Sequence, residues 1–144
     1  MIQFLHSYWA YLVVFMLVFT LATFITGFLS KKRFSYSRDF RLALFTLIVF
    51  YIQIVLGLIN YFDSRYFEGL KNGKFGEYMK VAHDRQAVME HPVMMLIVLA
   101  LLHYGFRRMK KAETSPKQYI AVIIFYGIGF LLTMIRIPWH TWLN

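Results

Sequence analysis

Four long apolar stretches, at about residues 6–30, 41–62, 85–106 and 117–140, are separated by shorter segments that hold most of the charge. A helix rises ~1.5 Å per residue and the bilayer's hydrocarbon core is ~30 Å thick, so each stretch predicts one membrane-crossing helix. The third is the least apolar. Its uninterrupted part, residues 92–102, is too short to span, so its helix must begin near Arg85 and carry Glu90 and His91 into the membrane or its interface. The first stretch differs from a signal peptide: residues 1–9 hold no Lys or Arg, and the apolar run far exceeds the core of such a peptide. It is expected to be retained. The connector at about residues 63–84 interleaves Gly69, Gly73 and Gly76 with Tyr66, Phe67, Phe75 and Tyr78, a pattern for short helical pieces lying on a membrane surface. The expected fold class is all-α, a membrane-spanning four-helix bundle forming a single domain, residues 1–144.

Composition agrees with that pattern. The chain is 59% hydrophobic and 19% aromatic with only 16% charged residues, which argues against both a disordered chain and a water-soluble globule. The absence of cysteine excludes disulfides, iron–sulfur clusters, haem thioethers and thiolate metal sites. A net charge of +9 would suit nucleic acid on a soluble basic face, but here the cations sit between apolar runs, so no nucleic-acid partner is expected. Short loops rich in Lys and Arg stay on the cytoplasmic side. Lys31, Lys32, Arg33, Arg38 and Arg41 in the first loop, and Arg107, Arg108, Lys110, Lys111 and Lys117 in the third, therefore predict an inner side for both. The charge-balanced connector and both termini then face outward, with Trp9, Trp139 and Trp142 near the outer interface.

Helices in lipid gain little from apolar contact with one another, so polar and small residues mark the faces that pack or bind. Thr46, Gln53, Gly57 and Asn60 form one such stripe on the second helix, and Gly129, Thr133, Arg136 and His140 one on the fourth. For the Gly and Thr positions helix packing accounts for the pattern. Measured from the basic ends, Asn60, Arg136, Glu90 and His91 all lie ~24–29 Å up, at the outer edge of the membrane. Ionisable groups there are costly and usually paired or functional. Glu90 and Arg136 make a candidate ion pair, with a structural salt bridge or an anion partner for Arg136 as its two roles.

Of five histidines, His6, His83, His91 and His140 fall toward the outer side, and His103 near the inner face is expected to extend toward the headgroups. His91 precedes Pro92, whose missing N–H leaves the Val88 carbonyl without its helical donor. A b-type haem needs two opposed imidazoles, an apolar slot and cations for its propionates. His91 and His6 are the candidate iron ligands, with Arg85, Arg136 and Lys80 near the outer edge. Depth argues against His6, which stands ~37 Å from Lys31 where His91 stands ~24 Å from Arg107. His83 and His140 match His6 better, so a surface Zn or Cu site formed by those three is an alternative.

The segments Leu5-His6-Ser7-Tyr8-Trp9-Ala10-Tyr11-Leu12, Ile52-Gln53-Ile54-Val55-Leu56-Gly57-Leu58-Ile59, Glu90-His91-Pro92 and Arg136-Ile137-Pro138-Trp139 resemble small bacterial four-helix membrane proteins commonly labelled cytochrome B. The likeness runs across the whole chain. It implies haem b, with His6 and His91 as the motif histidines, and a place in the bacterial inner membrane. Where that family carries a histidine beside the Ile-Gln pair of the second helix, this chain has Tyr51, so no ligand is expected there. The leading functional expectation is electron transfer between the quinol pool and an outer-side or membrane partner, with cofactor contacts from His6, His91, Arg85, Arg136, Glu90 and Asn60 and a quinone as a second ligand. The alternative is a haem-free structural or assembly subunit of a larger membrane complex. An enzyme modifying haem or quinone, with Glu90 and His91 as an acid–base pair, is the third reading. No nucleotide loop, nucleophile elbow or metalloprotease motif is present.

Overall fold

A computed structural model describes residues 1–137. The described residues are helical with no strand. Helix α1 covers Ile2–Leu29, and a π-helical turn at Tyr36–Phe40 leads into α2, Arg41–Phe62. The connector holds three short helices, α3 (Arg65–Lys71), α4 (Phe75–Lys80) and α5 (Ala82–Arg85). A second π-helical turn at Gln86–Glu90 opens α6, His91–Lys111, and α7 covers Ser115–Arg136. Four stretches, Ile2–Leu29, Tyr36–Phe62, Ala82–Lys111 and Ser115–Arg136, are long and apolar enough to cross a membrane. As the weak apolarity of the third stretch requires, its helical run takes in Arg85, Glu90 and His91. The fourth helix stops at Arg136, short of the expected 140, because Ile137 takes extended backbone and a residue preceding proline disfavours the helical region. Trp139, His140 and Trp142 lie outside the described residues.

Helix α1 packs against α2 and α7, and α6 packs against the same two, so α1 and α6 sit on one diagonal of the bundle. Large apolar side chains cover its outside, as with Phe15 (60% exposed), Leu131 (61%) and Ile135 (65%), the surface expected of helices solvated by lipid. The fully buried side chains gather toward the end that carries the basic loops. Leu17, Phe24, Phe50, Leu102, Met109, Tyr119 and Tyr126 form that core. Polar atoms within it are matched: the Thr20 and Thr46 hydroxyls are 2.6 Å apart, and Tyr126 donates to the Ala43 carbonyl at 2.8 Å. Trp9 donates to the Val49 carbonyl at 2.8 Å, so its indole joins α1 to α2.

Small residues set the helix spacing. A Cβ at Gly105 on α6 would stand 2.5 Å from the Cβ of Phe125 on α7, an atom fixed to its own backbone. Gly105→Ala gains up to about 1 kcal/mol in helix propensity but overpacks a rigid contact at a cost of roughly 1–3 kcal/mol. The net expectation is a lower thermal midpoint of the purified protein in detergent; an unchanged or raised midpoint would show that the α6–α7 contact yields freely.

In the connector, Tyr61, Phe62 and Phe67 pack ring against ring, tying α3 to the end of α2. Burial raises the Tyr66 hydroxyl above the usual phenol range, keeping it a donor to Asp84 at 3.0 Å while it accepts from Arg65 at 3.1 Å. The polar contacts thus tie α3 to α5 within the connector, while the aromatic ones join α3 to α2.

Candidate functional site

At the end of the bundle away from the basic loops, His6 on α1 and His91 on α6 face each other across the diagonal with ring centroids 6.4 Å apart and planes at 75°. The depth objection to His6 dissolves in the packing register. Thr20 lies eleven residues from Lys31 and its partner Thr46 only five from Arg41, so a count that starts at Lys31 starts ~9 Å lower than one that starts at Arg41. Counting from Lys31 overstates the height of His6 by that amount.

Each imidazole is held by backbone. His91 Nδ1 is 2.9 Å from the Arg136 carbonyl, an acceptor that fixes Nδ1 as the protonated nitrogen and leaves Nε2 with its lone pair. Arg136 is the last residue of α7, where the final carbonyls lack helical donors; Gln86 Nε2 donates to the same oxygen at 3.4 Å. The His6 ring rests on Gly57 of α2: a Cβ there would come within 2.9 Å of His6 Cε1. Gln53, one turn earlier, donates to the His6 carbonyl at 3.0 Å. His6 Nδ1 and Gln53 Oε1 are both buried with no hydrogen-bond partner among the described residues.

The carboxylate of Glu90 lies between two guanidinium groups, 3.5 Å from Arg136 and 3.6 Å from Arg85. This realises the expected Glu90–Arg136 pair and adds Arg85, which also donates to the Met79 carbonyl at 3.1 Å. The three side chains are 31–42% exposed, so the pairs are screened by water and contribute little to stability. The Val88 carbonyl that Pro92 leaves without a helical donor accepts from Tyr61 at 3.0 Å. Tyr61 escaped the sequence reading although it adjoins Asn60; the orphaned carbonyl was foreseeable, but its donor comes from another helix.

The structure thus brings together His6, His91, Glu90, Arg85 and Arg136. Asn60 continues the Gln53–Gly57 stripe and is half-buried, and no hydrogen bond joins it to these groups among the described residues. Lys80 and His83 are exposed on the connector. His103 is paired with the Tyr51 hydroxyl at 2.9 Å on an exposed face, far from His91. Among the described residues no three His, Asp or Glu side chains gather as a metal-holding group, and the alternative Zn or Cu site would need His140, which lies outside them.

Two features bear on whether a haem fits. Two imidazoles bonded to one metal ion at ~2 Å each have ring centres roughly 6 Å apart, close to the observed separation, though an ordinary edge-on ring contact has the same spacing. The second feature is looseness. No side chain of α1 before Val13, of α2 beyond Phe50 or of α6 before Val98 is fully buried, in contrast to the basic half of the same helices. The donor set, the glycine cradle and the unpartnered His6 nitrogen fit the group.

Compared with protein-family models, curated proteins and solved structures, the chain matches none.

Proposed function

We propose that this chain is a membrane-embedded b-type haem protein of the bacterial inner membrane, which passes electrons between quinol and an outer-side or membrane partner. The meeting of His6 and His91 from diagonal helices, with His91 Nδ1 tied to a carbonyl, is the observation that carries the reading. A bound haem supplies a one-electron iron couple. The chain's own residues do the rest. The Arg136 carbonyl orients the His91 ring and fixes its tautomer, while Gly57 leaves room for the His6 imidazole. Arg85 and Arg136 place positive charge beside the pair and would hold the haem propionates. Pyridine haemochrome analysis of protein purified from haem-replete cells tests the reading, and a colourless preparation ends it. Addition of a short-tail quinol to the oxidised protein then tests the donor; the haem is expected to become reduced.

The same geometry yields a residue-level expectation. Gly57→Leu fills the space of the His6 ring, and its effect should match that of His6→Ala: loss of the low-spin spectrum. A low-spin spectrum surviving in both variants would remove His6 from the site.

A second reading is favoured by the closed polar contacts themselves. Glu90 between two arginines and Tyr61 on the Val88 carbonyl join α2, α6 and α7 without any ligand, as suits a structural or assembly subunit. Co-purification with a larger membrane complex, free of cofactor, would select it.

A further inference from the structure

At the opposite end of the bundle a cavity of about 770 Å³ opens between α6 and α7. Its polar wall consists of Arg107, Arg108 and Lys111 from α6 and Lys117 from α7; its apolar wall includes Ile120 and Ile124. No carboxylate lines it. Unlike Arg38, engaged by Asp39, and Arg85 and Arg136, engaged by Glu90, these four cations have no ion pair among the described residues. Arg108 is also preset: its guanidinium donates to the Tyr104 hydroxyl at 3.1 Å, and Tyr104 is itself part of the lining.

The placement of the two walls is informative. The cations occupy the last two turns of α6 and the first turn of α7, at the boundary of two membrane-crossing helices, where lipid phosphates lie. Ile120 (36% exposed) and Ile124 (47%) follow one and two turns into α7, at the depth of acyl chains, and face outward. Uncompensated positive charge at phosphate depth, continuous with an apolar surface at tail depth, complements an anionic diacyl lipid better than a small soluble anion. Loop cations that only set topology need no cavity and no adjoining apolar wall.

We infer that the α6–α7 cavity binds an anionic glycerophospholipid, its phosphate among Arg107, Arg108, Lys111 and Lys117 and an acyl chain along Ile120 and Ile124. The inference is independent of the haem reading, because the cavity lies at the other end of the bundle.

Native mass spectrometry of the full chain in a neutral detergent, titrated with phosphatidylglycerol or phosphatidylcholine, tests it. Phosphatidylglycerol is expected to bind at least roughly tenfold more tightly. The triple variant Arg107→Gln/Lys111→Gln/Lys117→Gln should lose roughly a hundredfold in that affinity, whereas Lys31→Gln/Lys32→Gln/Arg33→Gln, which removes equal charge from the other basic loop, should retain it. Ile124→Trp fills the apolar wall without changing charge or the basic loops, and should weaken binding several-fold. It decides the matter if the charge variants fail to insert. Equal binding of the two lipids, equal loss from both triple variants, or no effect of Ile124→Trp would each overturn the inference. So would displacement of the lipid by millimolar inorganic phosphate, which would mark a small-anion site.

Discussion

His91→Ala is expected to abolish the low-spin haem spectrum of the purified protein, either by loss of the cofactor or by conversion to a high-spin form. On the proposed reading His91 supplies one axial imidazole, and its removal opens a coordination position. The effect should be large because the ring is held from outside the ligand set. The Arg136 carbonyl at 2.9 Å fixes one orientation of the ring, and Gln86 donates to the same oxygen. His103→Ala provides the contrast on the same helix. His103 lies twelve residues on, ~18 Å along the axis, and its Nδ1 is engaged by the Tyr51 hydroxyl on an exposed face. Its loss should leave the spectrum unchanged. Retention of haem in His91→Ala together with loss in His103→Ala would move the site to the other half of the membrane and detach it from Arg85 and Arg136. If His6→Ala alone leaves a low-spin spectrum, the second ligand must be sought at His83 or His140.

The four spans were legible because apolar run length depends directly on bilayer thickness, and the interior stripe because polar side chains in lipid are few. Thr46, Gln53 and Gly57 each prove to meet a partner on α1: the Thr20 hydroxyl, the His6 carbonyl and the His6 ring. The Glu90–Arg136 pair was readable for the same reason. Depth along individual helices was less legible. A count from the nearest Lys or Arg takes all the basic ends to lie at one level, and Lys31 and Arg41 do not, so it sets His6 too high to meet His91. Register between helices is fixed by tertiary contacts such as Thr20–Thr46, which no single-helix count contains. The donor for the Val88 carbonyl was hidden in the same way, since the demand arises on α6 and Tyr61 supplies it from α2. The basic loops concealed something else. Read as charge, Asp39 is one anion set against five cations, yet its carboxylate is 1% exposed and organises the entry to α2.

Asp39→Ala should therefore be among the most destabilising single changes outside the apolar core. Asp39 Oδ2 accepts from the Ser35 N–H at 2.9 Å and from the Tyr119 hydroxyl at 2.9 Å, and Arg38 donates to both carboxylate oxygens. The first bond secures the π-helical turn before α2, and the second ties that turn to α7, whose Tyr119 ring packs edge-on against Phe24 and Phe34. Alanine removes the acceptor of the part-buried Ser35 N–H, at roughly 1–3 kcal/mol, and leaves the buried Tyr119 hydroxyl only its longer contact of 3.4 Å to the Arg33 carbonyl. The ion pair is the smaller part: Arg38 is 56% exposed, and a pair of that kind is worth about 1 kcal/mol or less. Asp39→Asn separates the two effects. With its amide oxygen in the place of Oδ2 it keeps the acceptor for Ser35 and Tyr119, and gives up the charge and the Arg38 Nε–H bond to Oδ1. Thermal midpoints in one detergent should fall slightly for Asp39→Asn and Tyr119→Phe and far more for Asp39→Ala. Equal losses from Asn and Ala would assign the stabilisation to the ion pair, and an unchanged midpoint in Asp39→Ala would show that the turn before α2 holds without its carboxylate.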